Sequence, residues 1–209
     1  MSGGPRSTPH PDVAARALAL QGLLVDRGLL TDEQSEEIAA VVARAADPPE
    51  TGPTLGARMV ARAWVDPAYK QRLLDAPRTA AAELGFEGMM QDLVVLENTA
   101  ERHHLVVCTL CSCYPWTVLG LPPTWYKSPP YRSRAVLEPR RVLAELGLDL
   151  PADVEVNVWD STSDLRYLVL PERPAGTEGW SESRLAKLVT RDAMIGVAKA
   201  NPPLAPDVR

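Results

Sequence analysis

Three cysteines fall within six residues of a chain that contains no others: Cys108, Cys111 and Cys113, in the run Val107-Cys-Thr-Leu-Cys-Ser-Cys113. Thiolates are soft donors for transition metals and the working groups of redox centres. Two residues separate Cys108 from Cys111, so one loop can turn both sulfurs onto a single ion, and Cys113 can complete one face of its coordination sphere. Other uses fit less well. A disulfide between Cys108 and Cys111 would leave Cys113 over, and inert core cysteines do not call for such a cluster. A thioredoxin-like Cys-x-x-Cys needs a strand–helix setting, against which Cys113 and Pro115 argue. Two metal readings stay open. A structural zinc site wants four tetrahedral ligands, with His104 as the fourth because positions 104, 106 and 108 share one strand face; this describes a non-catalytic zinc-binding interaction module. Alternatively, the backbone nitrogens of Ser112 and Cys113, stripped of their protons, join the three sulfurs. Five such donors favour a trivalent low-spin ion and leave a sixth position where a substrate or water is polarised.

The longer stretch Val107-Cys-Thr-Leu-Cys-Ser-Cys-Tyr-Pro-Trp116 resembles the metal-binding motif of nitrile hydratase α subunits. Ala63-Trp-Val-Asp-Pro67, Gly120-Leu-Pro-Pro-Thr-Trp-Tyr-Lys127, Tyr131-Arg-Ser-Arg134, Val158-Trp-Asp-Ser161 and Arg173-Pro-Ala-Gly-Thr-Glu-Gly-Trp180 are similar to other segments of that family, so the resemblance covers roughly residues 15–197. It implies a hydro-lyase that hydrates nitriles to amides. Iron members carry serine after the first cysteine and threonine after the last; Thr109 and Tyr114 stand here, which implies the cobalt type. On that basis Cys108, Cys111 and Cys113 bind one non-corrin cobalt(III) per chain through sulfur, and Ser112 and Cys113 bind it through backbone nitrogen. Cys111 becomes a sulfinic acid and Cys113 a sulfenic acid. Cys111, Ser112 and Cys113 are then the catalytic residues, and the Cys113 sulfenate oxygen, or a water it activates, attacks the nitrile carbon. Thr109, Tyr114, Trp116, Asp160, Ser161 and Arg166 are candidates for the surrounding shell and pocket.

Anionic sulfur oxygens require cations, which in the family are arginines of a β subunit. The resemblance therefore implies an αβ heterodimer or its α2β2 doubling, served by a metal-delivery activator protein. A close relative, the thiocyanate hydrolase γ subunit, has the same Cys-Thr-Leu-Cys-Ser-Cys core. There an arginine is expected in place of Trp116, and a less apolar stretch in place of Leu119-Gly-Leu-Pro-Pro123. An apolar wall suits a neutral nitrile. The family often shows Gln-Gly-Glu-Asp ahead of the strand before the motif, where Met89-Met-Gln-Asp92 stands here.

A regular framework must hold this motif. Asp12 to Arg27 has helical apolar spacing with Gly28 as a stop, and Thr31 with Gln34 forms a capping box for a second helix that buries Ile38, Val41 and Val42. Asp47 to Pro53 breaks the chain. The spacing predicts helices over 54–64, from Asp66-Pro67 to Leu74, over 77–84, over 138–146 and near 181–189 and 193, with short turns and helices over 114–136. Leu93–Leu96, His103–Val107, Val154–Trp159 and Leu165–Leu170 read as strands. The fold class is α+β: residues 1–11 a disordered start, 12–52 a helical arm for a partner subunit, 53–209 a layered α-β-β-α metal-binding domain.

Charge and composition set limits. With 22 Lys+Arg against 27 Asp+Glu the net charge is −5, and 45% of residues are hydrophobic. That excludes a disordered tail and a nucleic-acid binder that works by bulk charge. No apolar run approaches the roughly 20 residues of a membrane span, and no export signal opens the chain, so a cytoplasmic setting is expected. Proline, 20 residues against 13 glycines, suggests stiff loops in the second half. Five Trp and five Tyr against one Phe suggest interface rings. His103 and His104 read as structural, and Arg132, Arg134, Arg140 and Arg141 as a solvated face.

Overall fold

The structure is a computed structural model that describes residues 11–36, 54–86, 92–111 and 113–203. The expected start before Pro11, the face formed by Ile38, Val41 and Val42, the break at Asp47 to Pro53, residues 89–91 and Ser112 lie outside the described residues. The chain divides into two compact units, Met1–Asp47 and Pro48–Arg209.

In the first unit α1 spans Pro11–Asp26, so Pro11 belongs to the helix and not to the start before it. Gly28 follows with φ +65°, the left-handed conformation that closes helices. The Thr31 N–H donates to Gln34 Oε1 (2.9 Å) and the Gln34 N–H to Thr31 Oγ1 (3.1 Å), the reciprocal capping box read from the sequence. Leu20, Leu23 and Leu29 are exposed apolar side chains of this unit.

In the second unit α2 (Leu55–Val65), α3 (Pro67–Asp75) and α4 (Pro77–Ala82) come first. Two strands follow, β1 (Asp92–Glu97) and β2 (Arg102–Val107). Then come α5 (Trp116–Leu119), a 3-10 turn at Thr124–Lys127, α6 (Pro129–Leu137) and α7 (Pro139–Glu145). Strands β3 (Glu155–Asp160) and β4 (Leu165–Leu170) precede α8 (Glu182–Leu185) and α9 (Arg191–Ile195). Asp66 caps α3, its carboxylate accepting the Tyr69 N–H at 2.9 Å. Pro67, Pro77, Pro129 and Pro139 each open a helix, where a missing N–H costs nothing. Part of the proline surplus thus starts helices and does not stiffen loops.

Strands adjacent in sequence do not pair. β1 pairs with β4 and β2 with β3, both in parallel, the second ladder running from Arg102↔Glu155 to Val107↔Asp160. Parallel strands are covered on both faces, which suits the nearly continuous burial of β2. Helices α3 and α4 pack on β1, β4 packs on β2, and α6 and α7 pack on β2 and β3, giving the α-β-β-α layers. Leu105, Leu143, Leu168 and Met194 are fully enclosed at the centre.

The tyrosines correct one expectation. Tyr69, Tyr114, Tyr126 and Tyr131 are core residues. Tyr69 donates to Ala80 O (3.0 Å), tying α3 to α4, and Tyr131 donates to Val106 O (2.7 Å), tying α6 to β2, each through a buried hydroxyl.

His103 and His104 are structural. The Asn98 amide accepts the His104 N–H at Oδ1 (2.8 Å) and donates to His103 Nδ1 (3.1 Å), while His103 Nε2 donates to Gly196 O (2.7 Å). Burial holds both imidazoles below their ordinary range, so the folded protein keeps them neutral. The unfolded chain then binds more protons below about pH 6.5, and stability rises with pH there. Stability is expected to be complete above that pH and to fall as pH drops towards 5. Thermal melts at pH 7.5, 6.0 and 5.0 measure this, and replacing His103 with glutamine should flatten the slope.

Candidate metal centre

The three cysteines lie just past the carboxyl end of β2, beside the carboxyl end of β3, where parallel strands commonly present ligand sites. The ladder continues past its last pair with the Ser161 N–H donating to Val107 O (2.7 Å), which sets the buried Ser161 opposite the start of the motif. Asp160 reaches across: its Oδ1 accepts the Thr109 N–H (2.9 Å) and its Oδ2 the Thr109 hydroxyl (2.5 Å). Two residues that the sequence placed far apart therefore form one anchor at the motif's first turn.

From that anchor the loop folds its sulfurs together. Cys108 Sγ lies 3.3 Å from Cys111 Sγ, and Cys111 Sγ lies 2.8 Å from Cys113 Sγ. All three sulfurs fall within 4.8 Å of one another, and the Cys111 N–H points at Cys108 Sγ at 3.3 Å. Cys108 is buried, Cys113 half-buried and Cys111 exposed, so the cluster opens on one side. Leu110, next to Cys111, is 89% exposed.

Two further anchors come from downstream and were missed in the sequence. The Tyr126 hydroxyl donates to Cys113 O (3.0 Å), and Arg132 donates to Cys111 O (2.9 Å). Arg132 is therefore not simply part of a solvated arginine face. Its neighbours behave that way: Arg134 pairs with Glu138 and Glu145, and Arg140 donates to the Pro151 and Val154 carbonyls. The segment Tyr131-Arg-Ser-Arg134 holds Arg132 and Arg134 alike, so nothing in the sequence separates the two. Tyr114 is buried edge-on against Tyr126, with centroids 5.2 Å apart, and burial pushes its hydroxyl far above the ordinary phenol range. Trp116 opens α5 and is half-buried against the core.

Burial pushes the Cys113 thiol up to about 12, with Cys111 and Cys108 adding to the rise and Arg166 opposing it. Arg166 thus faces the cluster electrostatically, and its Nε is buried with no partner among the described residues. Sulfurs packed this closely resist joint ionisation unless a cation lies among them, which inverts the local preference. The donor set is soft, convergent and open on one side, so it fits a transition ion. It does not fit a closed zinc site. His104 accepts the Trp159 Nε1–H at Nδ1 (2.9 Å), and among the described residues no His, Asp or Glu joins the three sulfurs.

A model of the nitrile hydratase α chain matches residues 11–198. The chain belongs to that family. The α subunit of the low-molecular-weight cobalt-containing nitrile hydratase of Rhodococcus rhodochrous is 54% identical over 200 residues, 95% of this chain and 93% of that protein. The thiocyanate hydrolase γ subunit of Thiobacillus thioparus is 41% identical over 197 residues, 88% of this chain and 79% of that protein. Among solved structures, a double-mutant Fe-type nitrile hydratase of Comamonas testosteroni superposes with a TM-score of 0.85 at 41% identity, covering 97% of this chain and 98% of that one. The nitrile hydratase fold and the helix–strand order read from the sequence thus agree.

Asp160→Ala removes both Thr109 bonds. The pair is partly solvated, so the expected loss is about 1 kcal/mol, a fall of about 2–4 °C in Tm. A melting temperature within half a degree of the parent protein would show that Asp160 does not anchor the turn.

Proposed function

We propose that this chain is the metal-bearing α subunit of a cobalt nitrile hydratase, which adds water across a nitrile carbon–nitrogen triple bond to give an amide. The observation that carries this reading is the convergence of Cys108, Cys111 and Cys113 in a one-sided sulfur cluster, in a chain 54% identical to a cobalt-containing nitrile hydratase α subunit. Cys108, Cys111 and Cys113 would hold the ion by sulfur, with the backbone nitrogens of Ser112 and Cys113 completing the set. When bound, cobalt(III) supplies the Lewis acidity that makes a weakly electrophilic nitrile carbon attackable.

The chain's own residues do the rest. Cys108, sealed in the core, fixes the buried end of the cluster, while the exposed Cys111 and half-buried Cys113 face the open side. Cys111 as sulfinate and Cys113 as sulfenate place anionic oxygens there. The Cys113 oxygen takes a proton from water as the water oxygen adds to the nitrile carbon, the nitrogen taking up that proton on the way to the amide. Alternatively the Cys113 oxygen itself adds to the carbon, the nitrogen is protonated, and water then attacks sulfur, releasing the amide and restoring the sulfenate. Asp160, Tyr126 and Arg132 hold the loop through Thr109, Cys113 and Cys111. Arg166 places a positive charge near Cys113. The half-buried Trp116 and the exposed Leu121 would offer apolar surface to an uncharged substrate.

The anionic oxygens and the exposed Leu110 fit a β subunit that closes the site and supplies arginines. The helix α1 and the turn after it, with Leu20, Leu23 and Leu29 exposed, fit an arm laid on that partner. The assembly is αβ or α2β2, in the cytoplasm, loaded by an activator protein. No helix among the described residues is long and apolar enough to cross a membrane.

The 41% identical thiocyanate hydrolase subunit supports one competing substrate, an anion. The test is co-expression with the β partner and cobalt, followed by parallel assays on a small nitrile and on thiocyanate. Nitrile turnover at least about 100-fold above thiocyanate turnover is expected, a difference of about 2.7 kcal/mol in transition-state binding. The reverse preference would replace the nitrile reading with the thiocyanate one.

A further inference from the structure

Tyr126 and Arg132 both donate to carbonyls of the cysteine motif, but to different peptide units. Tyr126 binds Cys113 O, whose peptide unit continues to the nitrogen of Tyr114. Arg132 binds Cys111 O at 2.9 Å, and that oxygen belongs to the unit whose nitrogen is that of Ser112. Oxygen and nitrogen of one peptide share a delocalised π system. A guanidinium on the oxygen therefore draws electron density from the nitrogen and stabilises negative charge anywhere in the unit. Such a charge-assisted bond is roughly twice as strong as a neutral one.

The structure holds this guanidinium firmly. Ser128 caps α6, its hydroxyl accepting the Tyr131 N–H at 3.3 Å. The Tyr131 hydroxyl pins the same helix to Val106 O, one residue before the end of β2. The helix that carries Arg132 is thus anchored on the strand that delivers Cys108. Arg132 Nε is buried without a partner among the described residues, so the Cys111 oxygen is the acceptor that fixes the head group.

We infer that Arg132 is a positioning residue of the metal centre, one that fixes the Cys111–Ser112 peptide unit and sets the donor strength of its nitrogen towards the metal. The inference rests on the cobalt reading above. It separates two anchors that look equivalent in the fold: Arg132 acts on a peptide that contributes a donor nitrogen, and Tyr126 acts on one that does not.

The experiment uses the co-expressed αβ enzyme and three variants, Arg132→Gln, Arg132→Lys and Tyr126→Phe. Two quantities are read besides turnover: the position of the sulfur-to-cobalt charge-transfer absorption, and the rate of cobalt loss to a chelator. Arg132→Gln keeps a donor but removes the charge. It is expected to shift the absorption and to lose cobalt about ten-fold faster or more, the scale of lost outer partners at metal sites. Arg132→Lys keeps the charge without the planar fork, so it should hold the absorption near its parent position and lose cobalt only a few-fold faster. This milder variant carries the test if Arg132→Gln does not assemble. Tyr126→Phe should leave the absorption in place. Parent-like chelator resistance in the Arg132 variants would overturn the inference, as would a Tyr126→Phe shift equal to that of Arg132→Gln. A parent enzyme that contains no cobalt would overturn the metal reading itself, and this inference with it.

Discussion

Cys113→Ser is expected to abolish nitrile hydration, with a loss of about a thousandfold or more, and to leave cobalt loading incomplete. Removing a partner one step away from a metal ligand already costs 10–100-fold. Cys113 is proposed to do more than such a partner: it gives a sulfur, a backbone nitrogen and the oxygen that acts on substrate or water. A serine keeps the backbone nitrogen but offers a hard, weakly acidic hydroxyl that a soft site does not favour. The substitution sits on a half-buried loop position, so the fold should survive, with Tm near that of the parent. The check is a paired measurement of turnover and cobalt content on the purified complex. Activity within ten-fold of the parent would remove Cys113 from the chemistry.

Gly196→Ala is expected to be strongly destabilising, although it adds only one methyl group. Gly196 ends α9 at φ +87°, a left-handed backbone that costs an L-residue roughly 1 kcal/mol. A Cβ there would lie 1.9 Å from His104 O and 2.9 Å from its carbonyl carbon. Those are backbone atoms of β2 and cannot rotate away. The Gly196 carbonyl also accepts from His103 Nε2, so any retreat of the turn breaks a buried bond. The combined penalty should exceed about 4 kcal/mol, the range reserved for backbone strain and core overlap together. Because β2 delivers Cys108, metal loading should fall with it. Urea unfolding of the complex measures the loss; a change below about 1 kcal/mol would mean that the α9 turn does not pack on β2 as described.

Much of this framework was legible because it is local. Asp66-Pro67, Thr31 with Gln34, and the stop at Gly28 act within one helical turn, and each does in the structure what its residue type dictates. The cysteine run was legible for the same reason: three sulfurs in six residues need only one loop to meet. The pairing of strands was not. β1 meets β4 across some seventy intervening residues, and nothing in the alternation of Leu93 or Leu168 names the partner or the parallel sense. The anchors of the motif were partly hidden in the same way. Asp160 and Ser161 were singled out as site candidates, whereas Tyr126 and Arg132, though in family-like segments, show no link to the cysteines until α6 folds back on β2. Tyrosine enrichment pointed outward to an interface, yet four of the five tyrosines are buried, because a phenol can tie a helix to a strand carbonyl while filling the core.

The decisive experiment is metal analysis of the assembled, catalytically active enzyme together with its visible absorption. About one cobalt is expected for each copy of this chain, with a sulfur-to-metal charge-transfer band that disappears with activity when the metal is removed. Zinc at the same stoichiometry in a colourless, fully active preparation would contradict the cobalt reading.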